Sequence, residues 1–264
     1  MRLLRLGGRV AALAATFVLV ALLGLSLAGY ASATLLDRPA YRFPSHVEPR
    51  GALTIAVVGD SLARGMRAST PQRSFVGLLF ARVAEVRPGS RLVNVSAPGA
   101  RLREIPGQVA RLPDERVDLV LMVAVGNDVM AATDPLSLAR DERAAFDAIG
   151  RRFPAAPVLF TNVPDVSSRR FTFRSLGRRA FLPPSMRLPL SKIITFDNAL
   201  VENIGAHRQA GLIDLEALSR TRDANDARFI SPDGLHPNDA GHARLADFAW
   251  PAFATALAPP VEAS

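Results

Sequence analysis

Cysteine is absent from this chain of 264 residues, and aromatic side chains are scarce, with one tryptophan and two tyrosines. Without cysteine the protein forms no disulfide, no thiolate metal site and no thiol nucleophile. The lipid-modified cysteine that anchors a bacterial lipoprotein is excluded as well. Export from the cytoplasm stays open, because a domain of roughly 200 residues buries enough surface to fold without disulfides.

Charge is absent from a long stretch near the N-terminus, between Val10 and Leu36. Three arginines precede it, and its first part, Val10 to Ala28, is almost entirely Ala, Val, Leu and Phe and long enough to span a bilayer. Ala31-Ser32-Ala33 has the small residues of a cleavage site. We expect residues 1–36 to be either an uncleaved membrane anchor or a cleaved signal peptide. The arginines stay in the cytoplasm, so the rest of the chain would lie on the extracytoplasmic face of the cell membrane or be secreted.

Hydrophobic periodicity is absent from residues 37–51, which contain Pro39, Pro44 and Pro49. Proline-rich segments without periodicity favour an extended conformation. We therefore expect a linker here, followed by a single globular domain over residues 52–264.

From Leu53 onward, apolar runs with many β-branched residues alternate with helical stretches. The predicted strands are 53–58, 92–95, 119–125, 158–162 and 212–215. The predicted helices are 75–86, 103–111, 138–152, 193–208 and 239–257. This alternation predicts an α/β fold, in which right-handed βαβ units build a parallel sheet with helices on both faces. Five strands favour the flavodoxin-like order 2-1-3-4-5, whose switch point lies beside the first strand.

The first strand ends in Gly59-Asp60-Ser61, which places a serine at the carboxyl end of a buried strand. Open α/β sheets bind their ligands at this edge. Taken alone, these residues favour a simple turn and helix cap over a catalytic serine. The chemical interpretation therefore depends on the rest of the chain.

A second polar motif, Asp233-Gly234-Leu235-His236-Pro237, lies near the other end. A serine nucleophile needs a base, and the base needs an acid that orients it. Asp233 and His236 are three residues apart, so the carboxylate can hold one ring nitrogen of the imidazole. Pro237 disfavours helical geometry at His236, which predicts a turn just before a helix.

Two further polar stretches, Asn94–Ala100 and Val125–Asp128, each follow a predicted strand. They contain the backbone amide of Gly99 and the side-chain amide of Asn127. Such N–H donors are what an oxyanion-binding site requires.

Together these four motifs resemble the sequence blocks of the SGNH/GDSL hydrolase family, in the same order and over roughly residues 53–257. The resemblance implies a flavodoxin-like three-layer sandwich with a five-stranded parallel sheet. It also implies a catalytic triad of Ser61, Asp233 and His236. The oxyanion-binding groups that it implies are Ser61, Gly99 and Asn127.

One position departs from the family pattern, because Val125 stands where the third block usually has glycine. The backbone conformation at Val125 determines the orientation of the Asn127 side chain, so this change bears on whether Asn127 can bind an oxyanion. Asp60 and Asp128 are expected to hold loop amides rather than to take part in chemistry. His207 and His242 fall in predicted helices, where we expect each of them to face solvent or to cap a helix. Neither a metal nor another cofactor is expected, since no cluster of metal-ligating residues is present.

The resemblance implies hydrolysis of an acyl ester through an acyl-serine intermediate. Transfer of the acyl group to a sugar or lipid hydroxyl would use the same residues. A non-catalytic envelope protein that binds ligands in the same cleft is a third alternative, and the sequence leaves all three open. The expected partners are an acyl-ester substrate and, through the N-terminal segment, the membrane.

Acidic residues are absent from position 169 to position 192, where much of the formal net charge of +8 is concentrated. The basic residues of this segment are Arg169, Arg170, Arg174, Arg178, Arg179, Arg187 and Lys192. Aromatic and aliphatic residues are interleaved with them. The segment is interpreted as a solvated surface loop, a lid over an acyl pocket, or a patch that contacts anionic lipid. Nucleic acid is not an expected partner, because no recognition motif is present.

Overall fold

The fold is built around a six-stranded sheet whose central strand is the apolar run before Ser61. A computed structural model describes residues 41–43, 52–166, 172–173, 178–179, 184–221 and 226–258. The sheet strands are β1 Tyr41–Phe43, β2 Thr54–Gly59, β3 Arg91–Asn94, β4 Leu119–Val123, β5 Val158–Thr161 and β8 Gly211–Ile213. Two short strands, β6 Thr172–Phe173 and β7 Arg178–Arg179, form a separate antiparallel pair.

Helices connect the strands and cover the sheet. They are α1 Ser61–Arg64, α2 Phe75–Val86, α3 Ile105–Ala110, α4 Gly126–Met130, α5 Pro135–Arg152, α6 Pro184–His207, α7 Leu215–Ser219 and α8 Asp239–Ala256. Short 3-10 turns lie at Pro71–Arg73, Leu102–Glu104 and Ala227–Phe229. Both predicted ends of α2 are confirmed. Ser74 fixes the first of them, because its side chain caps the helix by accepting a hydrogen bond from the Gly77 N–H.

The strand order is β1-β3-β2-β4-β5-β8, and the last five strands are parallel. When these five parallel strands are renumbered 1 to 5 along the chain, starting from β2, their order across the sheet is 2-1-3-4-5. This order confirms the predicted flavodoxin-like α/β fold. The sixth strand, β1, was not predicted. It pairs antiparallel with β3 and extends the sheet, although residues 41–43 fall in the segment interpreted as an extended linker. A three-residue strand is too short for its residues to show periodicity, so pairing with the β3 edge decides its structure.

Two apolar layers sandwich the sheet, because successive side chains of a strand point to opposite faces. Ile55 and Val57 face the layer that contains α2 and α8. Ala56 and Val58 face the layer that contains α3, α5 and α6. All six residues of β2 are buried, so its carboxyl end is held rigidly between the two layers.

Helix α6 begins at Pro184 rather than at the predicted residue 193. Proline fits the first position of a helix, where its missing N–H costs no hydrogen bond, so the predicted boundary was wrong. Part of the basic segment 169–192 therefore belongs to α6, and another part forms β6 and β7. The rest lies outside the described residues, so its roles as a lid or lipid-binding patch remain predictions.

The predicted anchor or signal peptide, residues 1–36, also lies outside the described residues. Within the part of the chain that the structure describes, no helix combines the length and the apolar composition needed to cross a bilayer.

Glu142 of α5 is fully buried, and neither carboxylate oxygen has a hydrogen-bond partner within the described residues. Burial raises the pKa of Glu142 to about 9, and the nearby charge of Asp128 raises it further while Arg143 opposes the shift. Because this pKa lies above that of the unfolded chain, the folded state binds more protons. The contribution of Glu142 is therefore most favourable at low pH and declines as the pH rises towards about 9.

We expect Glu142→Met to stabilise the protein, by about 1–3 kcal/mol near neutral pH and by more at higher pH. The substitution removes the unpaired buried carboxyl group and keeps a good helix former. Thermal or urea unfolding measured from pH 5 to pH 9 checks this prediction. Glu85→Met, at an exposed position of α2, is the control and should leave stability unchanged. Equal or lower stability of the Glu142 variant at every pH would contradict the prediction.

Candidate active site

The turn between β2 and α1 places Ser61 at the carboxyl end of the central strand. Gly59 has a φ of +141°, and a Cβ at this position would lie 1.9 Å from the carbonyl oxygen of Val123. Only glycine therefore fits at the end of β2. Ser61 is the first residue of α1, and the Asp60 side chain caps the helix by accepting a hydrogen bond from the Leu62 N–H at 2.8 Å.

The side chain of Gln108, in α3, makes two hydrogen bonds to the backbone of this turn. Its Oε1 accepts a hydrogen bond from the Gly59 N–H at 2.7 Å, and its Nε2 donates to the Gly59 carbonyl at 2.8 Å. The side chain is almost completely buried. Sequence reasoning missed this residue, because no local pattern distinguishes a glutamine that pairs with a backbone 49 residues away.

The Asp233 carboxylate organises the turn that carries His236. Its Oδ1 accepts hydrogen bonds from the Ser231 hydroxyl and from the N–H groups of Leu235 and His236, at 2.7, 2.9 and 2.9 Å. Helix α8 starts three residues after His236, so the predicted position on a turn before a helix is confirmed.

Ser61, His236 and Asp233 form one hydrogen-bonded relay. The His236 Nε2 atom lies 2.9 Å from Ser61 Oγ, and the Nδ1 atom lies 2.9 Å from Asp233 Oδ2. The side chains of His236 and Asp233 are 19% and 22% exposed, so the relay is accessible from solvent. Burial alone would raise the pKa of Asp233, but its hydrogen bonds and the charge of His236 lower this pKa well below the usual range. The carboxylate therefore stays ionised and can orient the imidazole.

Arg67 is a fourth member of this group that the sequence analysis did not identify. Its Nε donates to Asp233 Oδ2 at 2.8 Å, so this oxygen is shared between the guanidinium and the imidazole. Arg67 has a φ of +68°, an unusual conformation for a residue with a side chain. No sequence signal relates it to a carboxylate 166 residues away.

We expect Arg67→Met to lower kcat/KM by up to about fivefold, because a partly exposed ion pair contributes about 0.2–1 kcal/mol. The loss should appear mainly in kcat, since Arg67 contacts the Asp233 carboxylate and does not line the cavity beside Ser61. Arg73→Met is the matched control, because Arg73 pairs with Asp239 outside the relay. Steady-state kinetics on a soluble ester checks the prediction, and equal kcat values in the two variants would contradict it.

Val125 adopts the backbone conformation that glycine would favour at its position. Its φ is +78°, in the region where a β-branched residue is strained, and its side chain is buried. Its carbonyl accepts hydrogen bonds from the N–H groups of Asp128 and Val129 in the first turn of α4. Val125 therefore replaces the glycine of the family pattern, but its backbone has the positive φ that glycine readily adopts.

Asn127 lines the same cavity as Ser61 and His236. Its Nδ2 donates one hydrogen bond, to the Ala100 carbonyl at 3.0 Å, and the amide has a second hydrogen to offer. This contact also places the Gly99–Ala100 loop beside Asn127. Gly99 is exposed, has a φ of +76° and lines a separate depression rather than the cavity.

The two acidic residues that were expected to hold loops do so. Asp60 caps α1, and Asp128 Oδ2 accepts a hydrogen bond from the Leu102 N–H at 3.0 Å. Burial raises the pKa of Asp60 to about 6, against the opposing effects of the Leu62 amide and of His236. Burial likewise raises the pKa of Asp128.

The two other helical histidines have different positions. His207 is exposed, as expected. His242 is fully buried and so does not face solvent, but it fills the other expected role, because it caps a helix. Its Nδ1 accepts a hydrogen bond from the first amide of α2, that of Phe75, and its Nε2 lies 2.9 Å from the Met66 carbonyl. The packing of α8 against α2 buries this face of the helix, which its sequence alone does not reveal.

A cavity of about 150 Å³ opens beside Ser61 and His236. Most of its described lining is apolar and comes from the ends of β4 and β5 and from α4, α7 and α8. The main apolar side chains are Val123, Val129, Val163, Leu215, Leu218 and Leu245. Such a lining suits an aliphatic group better than a polar one.

Several solved structures share this fold. "TesA" is 23% identical with a TM-score of 0.56, and the match covers 77% of this chain and 99% of that one. The psychrotrophic esterase EstA from Pseudoalteromonas sp., inhibited by monoethylphosphonate, is 18% identical with a TM-score of 0.57 over 76% and 97% of the two chains. An extracellular lipase from Streptomyces rimosus is 17% identical with a TM-score of 0.55 over 78% and 100%.

No curated protein matches the chain. Residues 57–244, more than half of the sequence, match the model of the GDSL-like lipase/acylhydrolase family. The match begins within the strand before Ser61 and extends beyond His236. The chain therefore belongs to the GDSL-like lipase/acylhydrolase family and is a hydrolase of ester bonds.

Proposed function

We propose that the protein hydrolyses acyl esters with Ser61 as nucleophile, His236 as general base and Asp233 as the residue that orients the base. The observation that carries this proposal is the relay from Ser61 Oγ through both ring nitrogens of His236 to Asp233 Oδ2, with two contacts of 2.9 Å. Both contacts lie within the range needed for proton transfer between a nucleophile and its base.

In the first half of the reaction, Ser61 Oγ forms a bond to the ester carbonyl carbon while its proton moves to His236 Nε2. The carbonyl π electrons move onto the oxygen, which becomes an oxyanion. When the intermediate collapses, the bond to the alcohol oxygen breaks, and His236 returns the proton to that oxygen. Water then attacks the acyl-serine in the same manner, which releases the carboxylic acid and regenerates the Ser61 hydroxyl.

The oxyanion is bound by the Ser61 N–H and the Asn127 side chain, two residues that line the cavity. Gly99 does not line it, so the role of the Gly99 amide is supported by the family resemblance alone. The Ser61 N–H is the first amide of α1, and such amides have no partner within their own helix. The bond from Asn127 to the Ala100 carbonyl orients the amide and brings the Gly99 loop close. This arrangement explains why Val125 keeps a strained φ, since the backbone there starts the helix that carries Asn127.

A fluorophosphonate probe tests this function directly, because it forms a stable bond only with an activated serine. A phosphonate inhibits the Pseudoalteromonas esterase whose fold this chain shares. We expect the probe to label the wild-type protein at Ser61 and to block hydrolysis of p-nitrophenyl esters. Absence of labelling in folded protein that also hydrolyses no ester would refute the proposal.

We also propose that the domain works outside the cytoplasm, held at the membrane or released after cleavage. The support is the sequence of residues 1–36, in which arginines precede a long uncharged run. Protease added outside intact cells stripped of their wall should digest the full chain and spare a cytoplasmic marker. Protection of the domain until the cells are lysed would place it in the cytoplasm.

A further inference from the structure

Four large apolar side chains are exposed along the edge of the sheet that carries Ser61. They are Met130 in α4, Leu136 in α5, and Ile193 and Phe196 in α6, with exposures of 58%, 84%, 44% and 57%. Helices α4 and α5 each pack against α6, so the four side chains belong to neighbouring elements. We call this group the apolar rim. Met130 also lines the cavity beside Ser61, so the rim extends to the active site.

The directions of the two long helices place the rim at this edge. Helix α5 leads from the carboxyl end of β4 back to the amino end of β5, so Leu136, in its first turn, lies at the carboxyl edge of the sheet. In α6, the Asn198 side chain accepts a hydrogen bond from the Val163 N–H, just beyond the end of β5. Because α6 runs from this edge towards the start of β8, Ile193 and Phe196, which precede Asn198, lie at the edge or beyond it.

The chain enters the sheet at the same edge. Tyr41, the first residue of β1, pairs with Asn94, the last residue of β3. Since β3 is parallel to β2, Tyr41 lies at the carboxyl edge, as Ser61 does. The uncharged run that ends at Leu36 is separated from Tyr41 only by residues 37–40, which extend over at most about 14 Å. A membrane anchor in this run would therefore keep a bilayer close to the edge that carries Ser61.

The apolar rim favours an apolar partner. Contact with water costs free energy for each exposed apolar side chain, and a group of such side chains marks a surface that a partner covers. A bilayer fits this surface, because apolar side chains insert into the boundary between lipid headgroups and acyl chains. The anchor would bring a bilayer, rather than another protein, to this edge.

We propose that the apolar rim inserts into the surface of the membrane and that the cavity beside Ser61 takes its ester from a membrane lipid. The inference rests on the proposed function and on the proposed location outside the cytoplasm. An acyl chain of the lipid would then pass from the bilayer, along Met130, into the apolar cavity without crossing water.

The orientation can be measured with single labels, because the chain has no native cysteine. The full chain in phosphatidylcholine vesicles would carry a fluorophore at Leu136→Cys, at Phe196→Cys or, as the matched control, at Val86→Cys. Val86 is 65% exposed but ends α2, at the opposite edge of the sheet. Lipids with a nitroxide on the acyl chain should quench the labels at Leu136 and Phe196 at least about twofold more than the label at Val86. Equal quenching at all three positions, or failure of the protein to bind the vesicles, would overturn the proposal.

A second test concerns the source of the ester. The double variant Leu136→Glu, Phe196→Glu should hydrolyse p-nitrophenyl oleate dissolved in the same vesicles about tenfold more slowly, because charged side chains prevent the rim from inserting. Hydrolysis of soluble p-nitrophenyl acetate should be unchanged, because neither residue is among the described lining of the cavity. Val86→Glu is the control and should change neither rate.

An equal loss with both esters in a variant of unchanged melting temperature, or no loss with the vesicle ester, would contradict the proposal. The quenching measurement needs no catalysis, so it tests the membrane contact independently of the reaction. Failure of the catalytic mechanism would appear instead as absent fluorophosphonate labelling at Ser61 and as wild-type protein that hydrolyses neither ester.

Discussion

Ester hydrolysis should be abolished by Ser61→Ala, with kcat lowered by about 10⁴- to 10⁶-fold. The substitution removes the oxygen that attacks the carbonyl and leaves only the oxyanion-binding groups and substrate binding. Thermal unfolding should be nearly unchanged, because Ser61 is a small and only partly buried residue at the start of a short helix. Hydrolysis of a soluble p-nitrophenyl ester and a melting curve on the same sample measure both effects.

His236→Ala should cost about as much activity as Ser61→Ala, and the double variant should lose little more. The activity losses caused by substituting two residues of one proton-transfer step do not multiply, since removing either residue disables the step. Ser69→Ala is a matched serine control, because its hydroxyl donates to the Asp239 carboxylate outside the relay. His207→Ala is a second control, at an exposed position. Substantial activity in Ser61→Ala, or multiplying losses in the double variant, would show that the two residues do not act together.

The second large effect is expected at Asn127, whose replacement by alanine should lower kcat by about 10²–10³, or about 2.7–4 kcal/mol. KM should change little, because the donor acts on charge that develops only in the transition state. The side chain already lines the cavity, and its contact with the Ala100 carbonyl fixes its orientation. Steady-state kinetics with saturating substrate separates the two parameters.

Asn203→Ala, at an exposed position of α6, is the control for this prediction and should leave kcat unchanged. The melting temperature of Asn127→Ala should also be measured, because the substitution removes the bond to Ala100. A change confined to KM, or unchanged kinetics, would mean that Asn127 does not reach the oxyanion. The replacement of glycine by Val125 would then be the structural feature to examine next.

Much of the fold could be predicted because its strands carry a strong local signal. The run before Ser61 is continuously apolar and β-branched, which is typical of a strand covered on both faces. Strand and helix alternate, and the handedness of βαβ units leaves few arrangements of five parallel strands. The order around β2 and the turn at His236 before α8 therefore followed from local patterns and general rules.

Other elements could not be predicted, because their partners are distant in the sequence. Strand β1 exists through its pairing with β3, and three residues carry no periodicity of their own. The burial of His242 depends on the contact of α8 with α2. Gln108 hydrogen-bonds to a residue 49 positions away, and Arg67 hydrogen-bonds to one 166 positions away.

The sequence by itself determined which chemical groups are available and the order in which the strands present them. Absence of cysteine excluded thiol chemistry, and the motifs around Ser61 and His236 indicated a serine hydrolase. Only the tertiary structure decided that these two side chains, 175 residues apart, lie 2.9 Å from each other, and that Arg67 shares the carboxylate of Asp233. Such distances arise because parallel strands bring their carboxyl ends to one edge of the sheet, whatever their separation along the chain.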